Sequence, residues 1–392
     1  MTDRPGAATP VVVEIRVRAW LDYAPAARWF PGMSLRHGKD GATILRGPLP
    51  DQAALFGVLR RLQDLAVPLA SMTIHPEPDP KPDRTPFGAR PEYPGGNPMS
   101  ISTSAPAPHP NGESVLITGC SSGIGLATAL HLASRGFHVL ATVRKETDAE
   151  RLRGFHLGEL EPVCPLDLSK PDQIAAAAAA VQESLARRGR DRLYAVVNNA
   201  GGGFISPLEL MDLGRFRAEF ETRVLGPLAL LQKLLPLVRR ARGGRILWIA
   251  TGGLIAPPYV SSIHAGEYAM QCVAQTLHLE LSPWKIPNVF IGCGGIRTAA
   301  VGRTEAELEA AMRDWPQDKF DLYSRSLGKL QGQFREFDAH RIEPEQVART
   351  VYAALAAAKP KRKYLVDFQA RMMNILPLLP LSILDVIFQK MI

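Results

Sequence analysis

The sequence predicts two folded parts: a large α/β domain built on a doubly wound parallel sheet, and before it a small α+β domain. Three observations carry this. From residue 113 onward short apolar runs alternate with helical segments, as strands and crossover helices do in a parallel sheet. Before residue 76 the apolar residues alternate with period two, as in half-buried strands. Between the two, residues 76–112 hold 11 of the 33 prolines, interleaved with Gly, Ser and Asn. That composition cannot bury a core and predicts an extended linker. The expected boundaries are 1–75, 76–112 and 113–392, and 392 residues suffice for one large and one small core.

In the first part, VVVEIRVRAW puts Val13, Ile15, Val17 and Ala19 on one face and Glu14, Arg16 and Arg18 on the other, a strand with one buried side. LDYAPAARWF reads as a short helical turn. MSLRH and ATILRG form a hairpin across Gly38–Gly41. DQAALFGVLRRLQDL starts at a capping Asp51 and repeats Leu55, Val58, Leu59, Leu62 and Leu65 on one face, an amphipathic helix. ASMTIHP closes as a strand. The order β-(α)-β-β-α-β predicts a ferredoxin-like sandwich over 1–75. It shows no catalytic cluster and reads as a regulatory or interaction module.

Charge and composition exclude several function classes. The formal net charge is +8, but the basic residues are dispersed. RRARGGR (239–245) and KPKRK (359–363) fall at element ends, where solvated turns are expected, and no aromatic–basic interleaving marks a nucleic-acid binder. Cysteines 120, 164, 272 and 293 form no CxxC pair and no metal spacing, which predicts reduced thiols, no metal site and a reducing compartment. MTDRPGAATP has no apolar signal core, so a cytoplasmic location is expected. The segment MMNILPLLPLSILDVIFQKMI is the most apolar, yet Pro377, Pro380 and Asp385 argue against a spanning helix. Packing on its own domain or a partner is the expectation; contact with a membrane surface is the second reading.

In the large part the strands are SVLITG, HVLATV, PVCPLDL, YAVVNNAG, RILWIA, NVFIGCGGI and KYLVDF, with helices over GLATALHLASRG, QIAAAAAAVQESLARRG, 213–240 and 261–282. The first strand-to-helix turn is TGCSSGIG (118–125). Gly119, Gly123 and Gly125 permit a tight turn and close approach of backbone to a pyrophosphate, and the helix N-terminus supplies amide donors.

Together with this turn, later motifs resemble the short-chain dehydrogenase/reductase family, whose Rossmann turn has the form TGxxxGIG. Asp167 in PLDLS matches its adenine-binding aspartate. NNAG (198–201) matches the motif closing its fourth strand, which supports sheet and cofactor. GCGGIRT (292–298) matches its PG-motif region, with Gly294 in place of the proline and Thr298 where the family binds the nicotinamide carboxamide. The resemblance covers residues 112–392 and is nearest the hydroxysteroid and retinol dehydrogenase-like members. It implies a nicotinamide cofactor held by Thr118, Gly119, Ser122, Gly123, Ile124, Gly125, Asp167, Asn199, Ala200, Gly201 and Thr298. It also implies a homodimer, here through helices 213–240 and 261–282. An acidic residue after the second strand would hold the ribose 2′-hydroxyl of NAD. Here Arg144 stands there, with Ser122 in the turn, and both suit a 2′-phosphate, so NADP(H) is expected over NAD(H).

The family reduces carbonyls with Tyr and Lys four residues apart on one helix face, a Ser about thirteen residues earlier, and an Asn on the preceding long helix. Aligned on RILWIATGGLIAPP, SSIHAGEYAM and FETRVLGP, these positions fall on Ile263, Glu267, Ala250 and Arg223. A one-residue slip would bring Thr251 to the serine position; none restores Tyr or Lys. Ile263 has no proton to give and Ala250 cannot bond a carbonyl. Arg223 and Glu267 carry opposite charges and are expected to pair, with the guanidinium within about 6 Å of the carboxylate. The leading reading is a cofactor-binding protein with impaired chemistry. The other is an NADPH-dependent carbonyl/alcohol oxidoreductase using a different acid, for which Tyr259, His264, Glu267 and Tyr268 are the candidates. A small-molecule ligand is compatible with both.

Overall fold

The computed structural model describes residues 112–338 and 340–391. Toward the N-terminus it describes 11–17, 30, 32–38, 42–49, 54–55, 58–59, 62, 67 and 69–75. These fall into two compact units, one within 1–99 and one within 100–392.

The first unit has strands β1 (Val11–Val17), β2 (Ser34–His37), β3 (Thr43–Leu49) and β4 (Leu69–His75) in one antiparallel sheet of order β2-β3-β1-β4. This is the strand order of a ferredoxin-like sandwich. The period-two alternation of β1 accounts for its faces. Val13, Ile15 and Val17 are fully buried with Leu45 and Leu49, beneath the helical Leu55 and Leu62, while Glu14 and Arg46 pair on the polar face. Ala19, the turn after it, Asp51, Leu65 and the segment 76–111 lie outside the described residues.

The second unit is built on seven parallel strands in the order β11-β10-β9-β8-β5-β6-β7. They are β5 (Ser114–Ile117), β6 (His138–Thr142), β7 (Leu160–Val163), β8 (Ala195–Asn198), β9 (Arg245–Thr251), β10 (Asn288–Cys293) and β11 (Lys363–Leu365). Most of their residues are buried on both faces, which is why they read as continuous apolar runs. One face is covered by α3 (Pro171–Arg187), α5 (Gly226–Arg240) and α6 (Ser261–Glu280). The other is covered by α1 (Gly123–Ala133), α2 (Glu146–Arg153) and α9 (Pro344–Ala356). The chain reverses direction across the sheet between β5 and β8, and ligands of such sheets bind beyond the strand C-termini at that point.

Three local differences from the sequence pattern have physical reasons. The segment 213–240 is not one helix. It divides into α4 (Leu213–Phe220), a π-helical turn (Glu221–Leu225) and α5. Pro227 has no amide hydrogen for the carbonyl four residues back, that of Arg223, and the helix widens there. β7 stops at Val163 because Pro165 has no ladder donor. Residues 300–356, unassigned from periodicity, form α7 (Ala300–Arg313), α8 (Gln317–Asp338) and α9. After β11 follow two short helices, α10 (Phe368–Ile375) and α11 (Leu381–Gln389). Among the described residues no helix is long and apolar enough to cross a membrane.

Candidate functional site

The glycine-rich turn is pinned to the end of β8. Thr118 Oγ1 accepts from the amides of Asn199 and Ala200 at 2.9 and 3.0 Å. Asn199 Nδ2 donates to the carbonyls of Thr118 and Gly119 at 2.8 and 3.1 Å. Gly119 and Gly123 have φ of +73° and +57°, where L side chains are strained. A β-carbon on Gly125 would lie 2.6 Å from Asn199 Nδ2, and one on Gly119 3.0 Å from the Ala200 Cα. The helix, the turn and the β8 end therefore approach at backbone distance. Ser122 N-caps α1 without a side-chain bond, so the first-turn amides stay open toward an anion, and Ile124 packs against the core behind them. A β-carbon on Gly123 would lie 3.0 Å from the Thr298 methyl, so the loop after β10 faces the turn. Open amides and missing β-carbons leave the space that a dinucleotide pyrophosphate needs, and the residues present fit that group.

The end of β6 is knitted to the same turn: Thr142 O accepts from the Cys120 amide at 2.8 Å and Thr142 Oγ1 from Gly119 at 3.3 Å. Arg144 follows two residues later and is exposed. On α2, Arg151 donates to the Ser121 carbonyl within the turn and pairs with Asp148 at 3.1 Å. The family pattern carries no signal for Arg151; its helical phase alone brings it back to the turn. The Ser169 amide and hydroxyl donate to Asp167 Oδ1 at 2.9 and 2.8 Å. Burial pushes the Asp167 carboxyl up; these bonds and the Arg144 charge outweigh it and hold the group below its ordinary range.

The four residues that the sequence aligns with the family's reactive positions, Arg223, Ala250, Ile263 and Glu267, do not all share one place. Arg223 lies in the π-helical turn, and its Nη1 donates to Glu267 Oε1 at 2.9 Å, forming the pair expected from the opposite charges. Arg223 Nη2 also donates to the Gly202 carbonyl. The Glu267 side chain is 2% exposed; its Oε2 accepts from the Thr251 amide at 3.3 Å and from Gln271 Nε2 at 3.5 Å. Glycines make room for the arginine: a β-carbon would lie 3.0 Å from its guanidinium at Gly201 and 2.8 Å from its Cδ at Gly266. Ala250 is buried in the core with Trp248 and Ile246. The hydroxyl at the end of β9 belongs to Thr251, which donates to the Gly253 carbonyl at 3.0 Å.

Ile263 turns toward Gly203 and joins Ile205, Val260, Leu308, Leu327 and Leu330 in an apolar cluster beneath α7 and α8. These helices are tied down at their edge. Arg215 on α4 meets Glu307 at 2.5 Å and stacks over Phe204; Glu209 accepts from Lys319 and from Tyr323 Oη at 2.7 Å. Tyr259 Oη is 2.8 Å from Ser326 Oγ, and its ring stands edge-on to Tyr323. Burial, with the Arg223 charge next, lowers the His264 pKa to about 4, and its Nδ1 is buried without a partner among the described residues. Tyr268 is exposed on another face of α6. Gly294 stands in the loop after β10 because a β-carbon there would lie 2.6 Å from the carboxylate of Asp367, the N-cap of α10.

A glycine-rich turn at the switch point of a seven-stranded parallel sheet, with a threonine loop facing it, defines an α/β protein of the Rossmann type. The family model for short chain dehydrogenases matches residues 113–309, and the chain belongs to that family. A model for a domain of unknown function matches residues 12–73. Estradiol 17-beta-dehydrogenase 1 of Rattus norvegicus is 32% identical over 64% of this chain and 72% of its own length. The uncharacterized oxidoreductase YbbO of Escherichia coli K12 is 32% identical over 71% and 94%. Retinol dehydrogenase 16 of Homo sapiens is 29% identical over 71% and 88%. A solved Burkholderia cenocepacia short chain dehydrogenase in complex with NADP shares the fold, with a TM-score of 0.53 and 20% identity over 71% of this chain and 98% of that one.

Proposed function

We propose that the larger unit binds NADP(H) and has lost the family's oxidoreduction, serving as a cofactor- or ligand-responsive binding protein. The Arg223–Glu267 pair carries this reading. A nicotinamide held at the turn would supply hydride to a carbonyl, and the protein's own residues would have to protonate the carbonyl oxygen. Ile263 offers no proton. Both Glu267 oxygens are engaged and shielded, so this carboxylate is not free for ribose hydroxyls either. The Thr251 hydroxyl donates to Gly253, Tyr259 is bonded to Ser326, and His264 is buried and neutral at pH 7. Of the alternative acids for a noncanonical reductase, Glu267 and Tyr259 thus have competing partners, His264 has no imidazolium proton to give at neutral pH, and Tyr268 is exposed on another face of α6. The preference for NADP(H) rests on Arg144 and Ser122, with Arg151 held at the same turn.

The organisation that goes with this reading is a small unit over 1–75, a linker over 76–112 and a cofactor unit over 113–392, with the small unit transmitting or recruiting. Assembly as a homodimer through 213–240 and 261–282 is supported by Leu225, Tyr268 and Leu279, apolar side chains exposed there.

The test is calorimetric titration with NADPH and NADH, followed by turnover against carbonyls and alcohols that include estradiol and retinol. Tight NADPH binding without turnover is the expected result. Turnover abolished by Tyr259→Phe or Glu267→Ala would replace this reading with the noncanonical reductase, and absence of binding to either nucleotide would remove the cofactor.

A further inference from the structure

We propose that α10 and α11, with the turn between them, form a docking surface for an anionic lipid interface. Among the described residues an unusual concentration of exposed large apolar side chains falls here: Phe368, Met372, Ile375, Leu378, Leu381 and Val386. Leu378 and Leu381, at the turn, are 78% and 77% exposed. Water-facing patches of this size mark an interaction surface.

α10 is anchored to the rest of the unit. The Asp367 carboxylate caps α10 through the Ala370 amide at 2.6 Å, and Gln369 Oε1 accepts from the Gly295 amide at 2.7 Å. Ala370 is fully buried, and β-carbons on Gly252 and Gly253 would lie 2.5 Å from the Ala370 Cα and the Met373 carbonyl carbon. The inner face of α10 is thus seated on the chain leaving β9 and β10, beside Thr251, and the apolar side chains of its outer face point away from the protein.

Length and charge decide the occupant. Helices of 8 and 9 residues rise only about 12–14 Å and cannot cross a hydrocarbon core of about 30 Å. They can lie in its interface, which takes apolar side chains flanked by basic ones. Arg371 and Lys390 are exposed within the surface. Lys363 Nζ donates to Asn374 Oδ1 at 2.7 Å and joins β11 to α10, and Lys361 and Arg362, next to it in the chain, are exposed. Against these stand Asp385 and the capping Asp367. A second copy would bring the same positive patch against itself, whereas anionic headgroups complement it. Docking in this way places the Thr251 end of the candidate site at the lipid boundary.

The test is co-sedimentation of the full chain with vesicles of phosphatidylcholine alone and of phosphatidylcholine mixed with phosphatidylglycerol, with sedimentation equilibrium in parallel. The chain is expected to bind the mixed vesicles at least about tenfold better than the neutral ones. Leu378→Asp/Leu381→Asp and Lys361→Glu/Arg362→Glu are each expected to lose about tenfold, while NADPH affinity and thermal midpoint stay at the parent values. Equal binding to both vesicles, binding to neither, or variants that bind like the parent overturn the proposal. A dimer that Leu378→Asp/Leu381→Asp dissociates overturns it in favour of a second copy.

Discussion

Arg223 Nη1 lies 2.9 Å from Glu267 Oε1, so a charge pair joins the π-helical turn to α6. The two side chains are 13% and 2% exposed. Breaking such a shielded pair from one side leaves an uncompensated charge. Glu267→Ala and Arg223→Ala are each expected to cost about 3 kcal/mol in urea unfolding, and Arg223→Ala/Glu267→Ala clearly less than their sum. Strict additivity would show that the contact contributes nothing.

Gly266 is a condition of that pair, because a β-carbon would lie 2.8 Å from Arg223 Cδ. Gly266→Ser should therefore destabilise the chain by about 1 kcal/mol with Arg223 present, and by close to nothing beside Arg223→Asn. Equal costs in the two backgrounds, compared by urea midpoints, would disprove the coupling.

His264 makes stability depend on pH. Its folded pKa, about 4, lies below the ordinary 6.5, so the unfolded chain takes up the proton first as pH falls. The contribution is complete above pH 6.5, declines between 6.5 and 4, and is constant below. The loss is on the order of 3 kcal/mol. Unfolding free energies at stepped pH should show this slope in the parent and a shallower one in His264→Leu; identical slopes would exonerate the histidine.

The proposed preference for NADP(H) rests on the turn beside Arg144 and Arg151. Arg144→Ala and Arg151→Ala should each weaken NADPH about tenfold and leave NADH within about twofold, as expected for charge-assisted bonds to a phosphate. Calorimetry with both nucleotides measures this. Equal losses for both would place the arginines elsewhere than at a 2′-phosphate.

Much of the architecture was legible because it is local. Strand and helix periods determine which residues face a core, which is why Val13, Ile15 and Val17, or the apolar run of β8, could be assigned from spacing. The break at Arg223 was not legible from apolar period alone, although Pro227 holds its cause. The helices α7 and α8 escaped because their pattern on the apolar side is sparse and their partners, Ile205, Val260 and Ile263, lie far away in sequence.

By itself the sequence determined the order of the strands, the glycine turn, and which residues align with the family's reactive positions, since each depends on a few consecutive residues. Tertiary structure decided what those residues do. It brought Arg223 onto Glu267 across 44 positions, committed Thr251 and Tyr259 to other partners, placed Ile263 beneath α7 and α8, and fitted Gly294 to the cap of α10. Spacing along a helix determines a face, but only the packing of separate elements determines what that face meets.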